Sequence, residues 1–189
     1  MKLGIVGHGF VGSAVNQGFT KNIKKYIVDP KYYSSNTIES LIQFKPNATF
    51  VAVPTPQLET GECNTDILQE VLQKLNKHKG HLVIVKSTVP AYKLQALQEE
   101  CVDIKIVYNP EFLTEKNHID DFKNPHMQIF GGTLTIEEFI GRLPNLTVRK
   151  TVEIDRNNLL GSILHNNEIF NNDVYIKFIG EDGIDCGGL

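Results

Sequence analysis

The chain has 189 residues, 41% of them hydrophobic and 22% charged, with a formal net charge of −3. That length builds one sizeable domain with a buried core, and the composition excludes wholesale disorder. There is no basic run suited to a phosphate backbone and no apolar run near the roughly 18 residues of a membrane span, so neither nucleic acid nor a membrane is an expected partner.

In chain order, the sequence predicts a strand at Lys2–Val6, a helix of small residues at Val11–Thr20 and a strand at Tyr26–Asp29. A weak helix over Thr37–Phe44 leads to a third strand at Ala48–Val53, closed by Pro54-Thr55-Pro56. Asp66–His78 is the clearest helix, because Ile67, Leu68, Val71, Leu72 and Leu75 fall on one face. A strand at Leu82–Val85, a helix at Lys93–Cys101 and a strand at Ile104–Tyr108 follow. A sixth strand at Gln128–Phe130 runs into Gly131-Gly132, with a helix near Ile136–Arg142 and a short strand at Leu146–Arg149 beyond it. Strands alternating with helices over residues 1–150 specify an α/β fold, a doubly wound parallel sheet of the dinucleotide-binding Rossmann type. From about Thr151 the alternation stops and asparagine is dense, so residues 151–189 read as a short, irregular C-terminal extension.

Gly7-His8-Gly9-Phe10-Val11-Gly12 satisfies G-x-G-x-x-G between the first strand and the first helix. Gly7 permits the tight turn, Gly9 lets the backbone approach a pyrophosphate, and Gly12 lets the helix pack close to the sheet. The start of that helix offers unpaired amides and a positive dipole end to phosphates. Asp29 ends the second strand, where a carboxylate accepts hydrogen bonds from both ribose hydroxyls and repels a 2′-phosphate. The expected cofactor is therefore NAD rather than NADP, a preference that Lys31 tempers without reversing.

Ligands bind beyond the carboxyl ends of strands in such a sheet. Val53-Pro54-Thr55-Pro56, Ser87-Thr88-Val89-Pro90 and Asn109-Pro110-Glu111-Phe112-Leu113 stand after strands three, four and five. Cys63, Cys101 and Cys186 are odd in number and widely spaced, and read as reduced thiols of a cytoplasmic protein. The histidines show neither paired spacing nor an accompanying carboxylate cluster, so no metal is expected.

Gly9-Phe10-Val11-Gly12, Val51-Ala52-Val53-Pro54-Thr55-Pro56, Ser87-Thr88-Val89-Pro90, Asn109-Pro110-Glu111-Phe112-Leu113-Thr114-Glu115 and Ile129-Phe130-Gly131-Gly132 resemble, in order and spacing, the successive motifs of the UDP-glucose/GDP-mannose dehydrogenase family. The likeness covers about residues 1–155 and leans to the UDP-glucose 6-dehydrogenase branch. It implies oxidation of a sugar C6 alcohol to a carboxylate by two hydride transfers to NAD, with UDP-glucose as the expected nucleotide sugar. Carried over, it places Gly7, Gly9, Phe10, Val11, Gly12, Asp29, Thr55, Thr88 and Glu115 on the cofactor. Glu111, Phe112, Leu113 and Glu115 would line the sugar-nucleotide site, with Thr88 and Glu111 in supporting roles nearest the chemistry.

The same resemblance implies a nucleophilic cysteine, a lysine and an asparagine further along the family's chain. Cys186 is followed by glycines rather than the family's Pro-Lys-Asp and is not assigned as that nucleophile. The expectation is thus a cofactor domain cut before the catalytic cysteine. The alternative is a catalytically inactive nucleotide-binding or interaction module. The family's dimer is built largely around a central helix that is degraded or absent in this chain, so a homo-oligomer stays open but is not supported by these residues. Within the extension, Asn167-Glu168-Ile169 echoes that helix, whereas Arg156–Leu160 with Val174–Leu189 resembles the opening of a HECT-type domain.

Overall fold

The computed structural model describes residues 1–19, 22–114, 116–123, 128–132, 151–155 and 175–179. In chain order the described elements are β1 (Lys2–Val6), α1 (Phe10–Gly18), β2 (Lys24–Val28), α2 (Ile38–Phe44), β3 (Ala48–Val51) and α3 (Asp66–Leu75). Then come β4 (Leu82–Val85), α4 (Ala91–Glu100), β5 (Lys105–Tyr108), α5 (His118–Lys123), β6 (Gln128–Gly132), β7 (Thr151–Asp155) and β8 (Tyr175–Ile179).

A strand covered by helices on both faces must be apolar on both, and β3 and β4 are buried at every residue. Their side chains alternate with the two-residue period of a pleated strand. Val6, Val51, Val83, Val85 and Ile106 face α2, α3 and α4, while Leu3, Ile5, Phe50, Ile84 and Val107 face α1 and α5. In α3 the residues Leu68, Val71, Leu72 and Leu75 supply the buried stripe, and each such burial contributes roughly 1.5–3 kcal/mol. Ile67, assigned to that stripe by spacing, remains 45% exposed.

The strand order is β2-β1-β3-β4-β5-β6-β8-β7. The pairings among β1 to β5 are parallel, and β5 meets β6 antiparallel. This is the doubly wound parallel sheet that the alternation predicts. The backbone of β8 pairs in parallel with both β6 and β7, so two stretches of the C-terminal region form strands of the same sheet. The helix expected near residues 136–142, the strand at 146–149 and the remainder of the tail motifs lie outside the described residues.

Local chemistry sets the boundaries. Thr37 caps α2 by accepting the Ser40 N–H at 3.1 Å. α4 begins directly after Pro90, two residues before the expected start. α5 was not anticipated: His-Ile-Asp-Asp-Phe-Lys has almost no apolar period, and the helix docks on α1 through Phe122. A Cβ on Gly18 would run into the Phe122 ring, so that glycine is what lets the two helices approach. At the opposite, amino edge of the sheet, Lys2 Nζ donates to the Phe44 carbonyl and Lys25 Nζ to the Phe19 carbonyl, both at 2.9 Å. These lysines satisfy carbonyls left over at the ends of α2 and α1.

Candidate functional site

From β1 the chain steps to β2 on one side, then crosses over to β3 on the other. The loops leaving β1 and β3 therefore diverge, opening a crevice at the carboxyl edge. The ladder extends one residue beyond several strands. Gly7, Ala52 and Lys86 each donate an N–H to the neighbouring strand's last carbonyl at 2.8 Å, and Asn109 does so at 2.9 Å. The first residues of four loops are thereby fixed in a row along that edge.

The glycines of the first loop have distinct tasks. Gly7 has a φ of 87°, and a Cβ there would strike the Ala52 carbonyl. A Cβ on Gly12 would strike the Gly7 carbonyl, so close is α1 to the loop. Gly9 is different: among the described residues, nothing lies within 4 Å of its hypothetical Cβ. No atom of the described residues requires glycine there, whereas a ligand pressed onto the backbone would. Gly9 is also the N-cap of α1 and carries no side-chain cap, leaving the first amides of the helix for an outside acceptor.

Asp29 follows β2 and is only 8% exposed. Its Oδ2 accepts the His8 N–H at 2.7 Å; its Oδ1 accepts those of Lys31 at 2.8 Å and Tyr32 at 3.1 Å. Burial opposes its ionisation, but the three backbone donors and the nearby His8 outweigh burial and hold the carboxyl below the usual aspartate range. A carboxylate offers about four acceptor directions, so these bonds leave roughly one for a ligand, not the two that bidentate ribose binding would use. Asp29 thus braces the glycine loop against the β2–α2 connection.

Beside this brace lies an open cleft of about 570 Å³, lined by His8, Gly9, Phe10, Ser13, Tyr32 and Tyr33. The His8 ring packs edge-on against Tyr33 with centroids 5.3 Å apart, and its Nε2 lies 3.1 Å from Asn16 Nδ2. The aromatic wall was not singled out from the sequence, although two tyrosines three and four residues after a strand-end aspartate were there to be noticed.

The rest of the edge gathers the other predicted residues. Thr55 donates its hydroxyl to the Thr88 carbonyl and Ser87 to the Val53 carbonyl, each at 2.8 Å, which staples the loops after β3 and β4 together. Cys63 Sγ lies 3.6 Å from that same Thr88 carbonyl. Glu111 and Leu113 are partly buried while Phe112 is exposed, and Glu115 lies outside the described residues. Sequence reasoning passed over Lys86, whose signal was a lysine closing the apolar run Leu82–Val85. Its Nζ sits 2.8 Å from Glu111 Oε2 and 3.0 Å from Asn109 Oδ1. Burial pulls the Lys86 pKa down against the opposing pull of Glu111. The contact at Oε2 is a charge pair, not an aligned hydrogen bond.

Residues 13–142, more than two thirds of the chain, match the model of the UDP-glucose/GDP-mannose dehydrogenase family, NAD binding domain. The chain belongs to this family. The glycine loop stands just before the matched span, where the structure supplies it independently. The chain is 28% identical over 175 residues to the UDP-glucose 6-dehydrogenase of Campylobacter jejuni, covering 76% of this chain and 44% of that protein. It is 33% identical over 90 residues to the Rickettsia bellii UDP-glucose 6-dehydrogenase, covering 44% of this chain and 21% of that one. Its fold resembles that of a GDP-mannose dehydrogenase from Pseudomonas aeruginosa, with a TM-score of 0.62 at 19% identity, covering 96% of this chain and 47% of that chain. The chain therefore spans less than half the length of each of these relatives. It comprises the family's NAD-binding domain, so its cofactor is NAD. No helix among the described residues is long and apolar enough to cross a membrane.

Proposed function

We propose that this domain holds NAD with its pyrophosphate over Gly9 and the start of α1, as the cofactor half of a nucleotide-sugar 6-dehydrogenase acting on UDP-glucose. The observation that carries this reading is the open space above Gly9 at an uncapped helix start in the sheet's crevice. Gly7 and Gly12 shape that loop, with Phe10 and Val11 opening α1 beside it. Asp29 takes a ribose hydroxyl through its remaining acceptor direction, and its charge disfavours a 2′-phosphate. Bound NAD supplies the hydride acceptor. Thr55 and Thr88 hold the loops that meet the reacting end of the cofactor. Glu111, Phe112 and Leu113 face the sugar nucleotide, joined by Glu115, with Glu111 orienting the hydroxyl or water that reacts.

The test is calorimetry, since the chain has no tryptophan to report binding. NAD should bind, and NADP should bind at least about tenfold more weakly, a difference of 1.4 kcal/mol. Asp29→Asn should narrow that gap. Absence of NAD binding would overturn the placement. Adding UDP-glucose and following NADH absorbance then asks whether these 189 residues turn over; binding without turnover is the result expected of a cofactor half on its own, and turnover would overturn the need for the rest of the enzyme.

A further inference from the structure

We propose that Lys86 is the positioning residue for Glu111, fixing which carboxylate oxygen is presented to the substrate; this rests on the assignment of Glu111 to the sugar side made above. Lys86 is only 5% exposed and closes a strand that is otherwise wholly apolar. A buried ammonium is costly unless partnered, and an aliphatic side chain would fill the same space without that cost. What the ammonium adds is direction. Its Nζ is anchored by Asn109 Oδ1 at 3.0 Å and in turn holds Glu111 Oε2 at 2.8 Å, an oxygen that is fully buried.

The other oxygen, Oε1, accepts the Phe112 N–H at 2.8 Å. The carboxylate is therefore held at both ends, by the ammonium's charge at Oε2 and by a hydrogen bond at Oε1, and both contacts favour this one orientation. Oε1 keeps acceptor capacity beyond that one bond, so it is the oxygen left to meet a hydroxyl or a water. Because Val85 and Tyr108 are paired in the sheet, Lys86 and Asn109 leave adjacent strands side by side, and the ammonium ties the 87–90 loop to the 109–113 loop. The strands supply the rigidity, and the ion pair transmits it to a loop carboxylate. A reacting group held in one orientation is what proximity catalysis requires.

The experiment uses the full 189-residue chain with carbon-13 labelled glutamate. In the wild type, the Glu111 carboxyl resonance should stand apart from those of solvated glutamates and move when UDP-glucose is added. Lys86→Met should return that resonance towards the solvated position and weaken UDP-glucose binding at least about tenfold. Lys86→Arg, which keeps the charge, should recover most of both effects. An unchanged Glu111 resonance in folded Lys86→Met overturns the proposal, as does Lys86→Arg behaving no better than Lys86→Met. Should Lys86→Met not fold, Glu111→Gln reads the same pair from its other side. In chain labelled on lysine instead, the Lys86 ε-carbon resonance must then shift, and an unmoved one refutes the coupling. If the wild-type chain binds no UDP-glucose, the sugar-side reading of Glu111 falls, while the resonances still decide whether Lys86 orients it.

Discussion

Gly9, the N-cap of α1, and Gly12, in its first turn, sit three residues apart and respond to a methyl group for opposite reasons. In Gly12→Ala the new Cβ meets the Gly7 carbonyl, which cannot step aside without moving α1, so unfolding in urea should show a loss of about 1–3 kcal/mol. In Gly9→Ala the Cβ enters open space, and only the weaker N-cap preference of alanine is felt, about 1 kcal/mol or less. NAD affinity should nonetheless fall at least about tenfold, because the methyl occupies the ligand's side of the loop. Equal stability losses for the two variants would contradict this division. Asp29 makes a separate prediction. Its carboxyl is held below the ordinary value of 3.8, so its stabilising effect is complete above that pH and lost as pH falls through the lower folded value. Asp29→Asn should flatten the acid limb of urea midpoints measured between about pH 2 and 7, and cost about 1–3 kcal/mol at neutral pH by removing one of the two bracing oxygens. The glycines and Asp29 were legible in the sequence because their chemistry follows from residue type and local spacing. Lys86 was not, because its meaning depends on Glu111, 25 residues away and on another strand's loop.

α3 and α5 show how much of an element is written locally. The buried stripe of α3 follows from its own spacing, although its regular helix ends at Leu75 instead of His78, as the chain turns through Gly80 into β4. α5 has a single large aromatic anchor, and its helical form is imposed by docking on α1. Phe122 packs tilted against Phe19 with centroids 5.8 Å apart, and Lys86 Nζ lies 5.8 Å from its ring. Phe122→Ala should cost about 2 kcal/mol, roughly half the penalty of emptying a fully buried aromatic site. Amide exchange should accelerate in α5 well before it does in β1 to β4. Uniform acceleration throughout the sheet would show that α5 is not a separable unit. The same helix places His118 against Phe10, 4.7 Å between ring centroids, so the segment following the Glu111 loop rests on the first turn of the dinucleotide helix.

For the molecule as a whole, alternation of strand and helix made the parallel sheet legible, and strand-end motifs made its working edge legible. The strand order was not readable, since no local signal tells β2 to pair outside β1 or sends β3 across it. Nor did composition reveal that residues 151–155 and 175–179 pair with the sheet, because pairing partners far along the chain leave no periodic trace. Binding at the crevice should be felt globally: NAD at about 100 times its dissociation constant should add about 2.7 kcal/mol of stability, read as a rise in melting temperature. An absent shift at that excess would contradict selective binding to the folded state. The lysine caps at the amino edge give the fold a further property. Lys2 and Lys25 close helix ends on the rim opposite the crevice, where no residue proposed to touch the cofactor or sugar lies. Proteins commonly trade activity for stability when the two demands fall on the same residues. Here the demands fall on opposite rims, so an engineer can tighten the amino edge, with better helix caps or shorter connections, and leave the dinucleotide edge its working geometry.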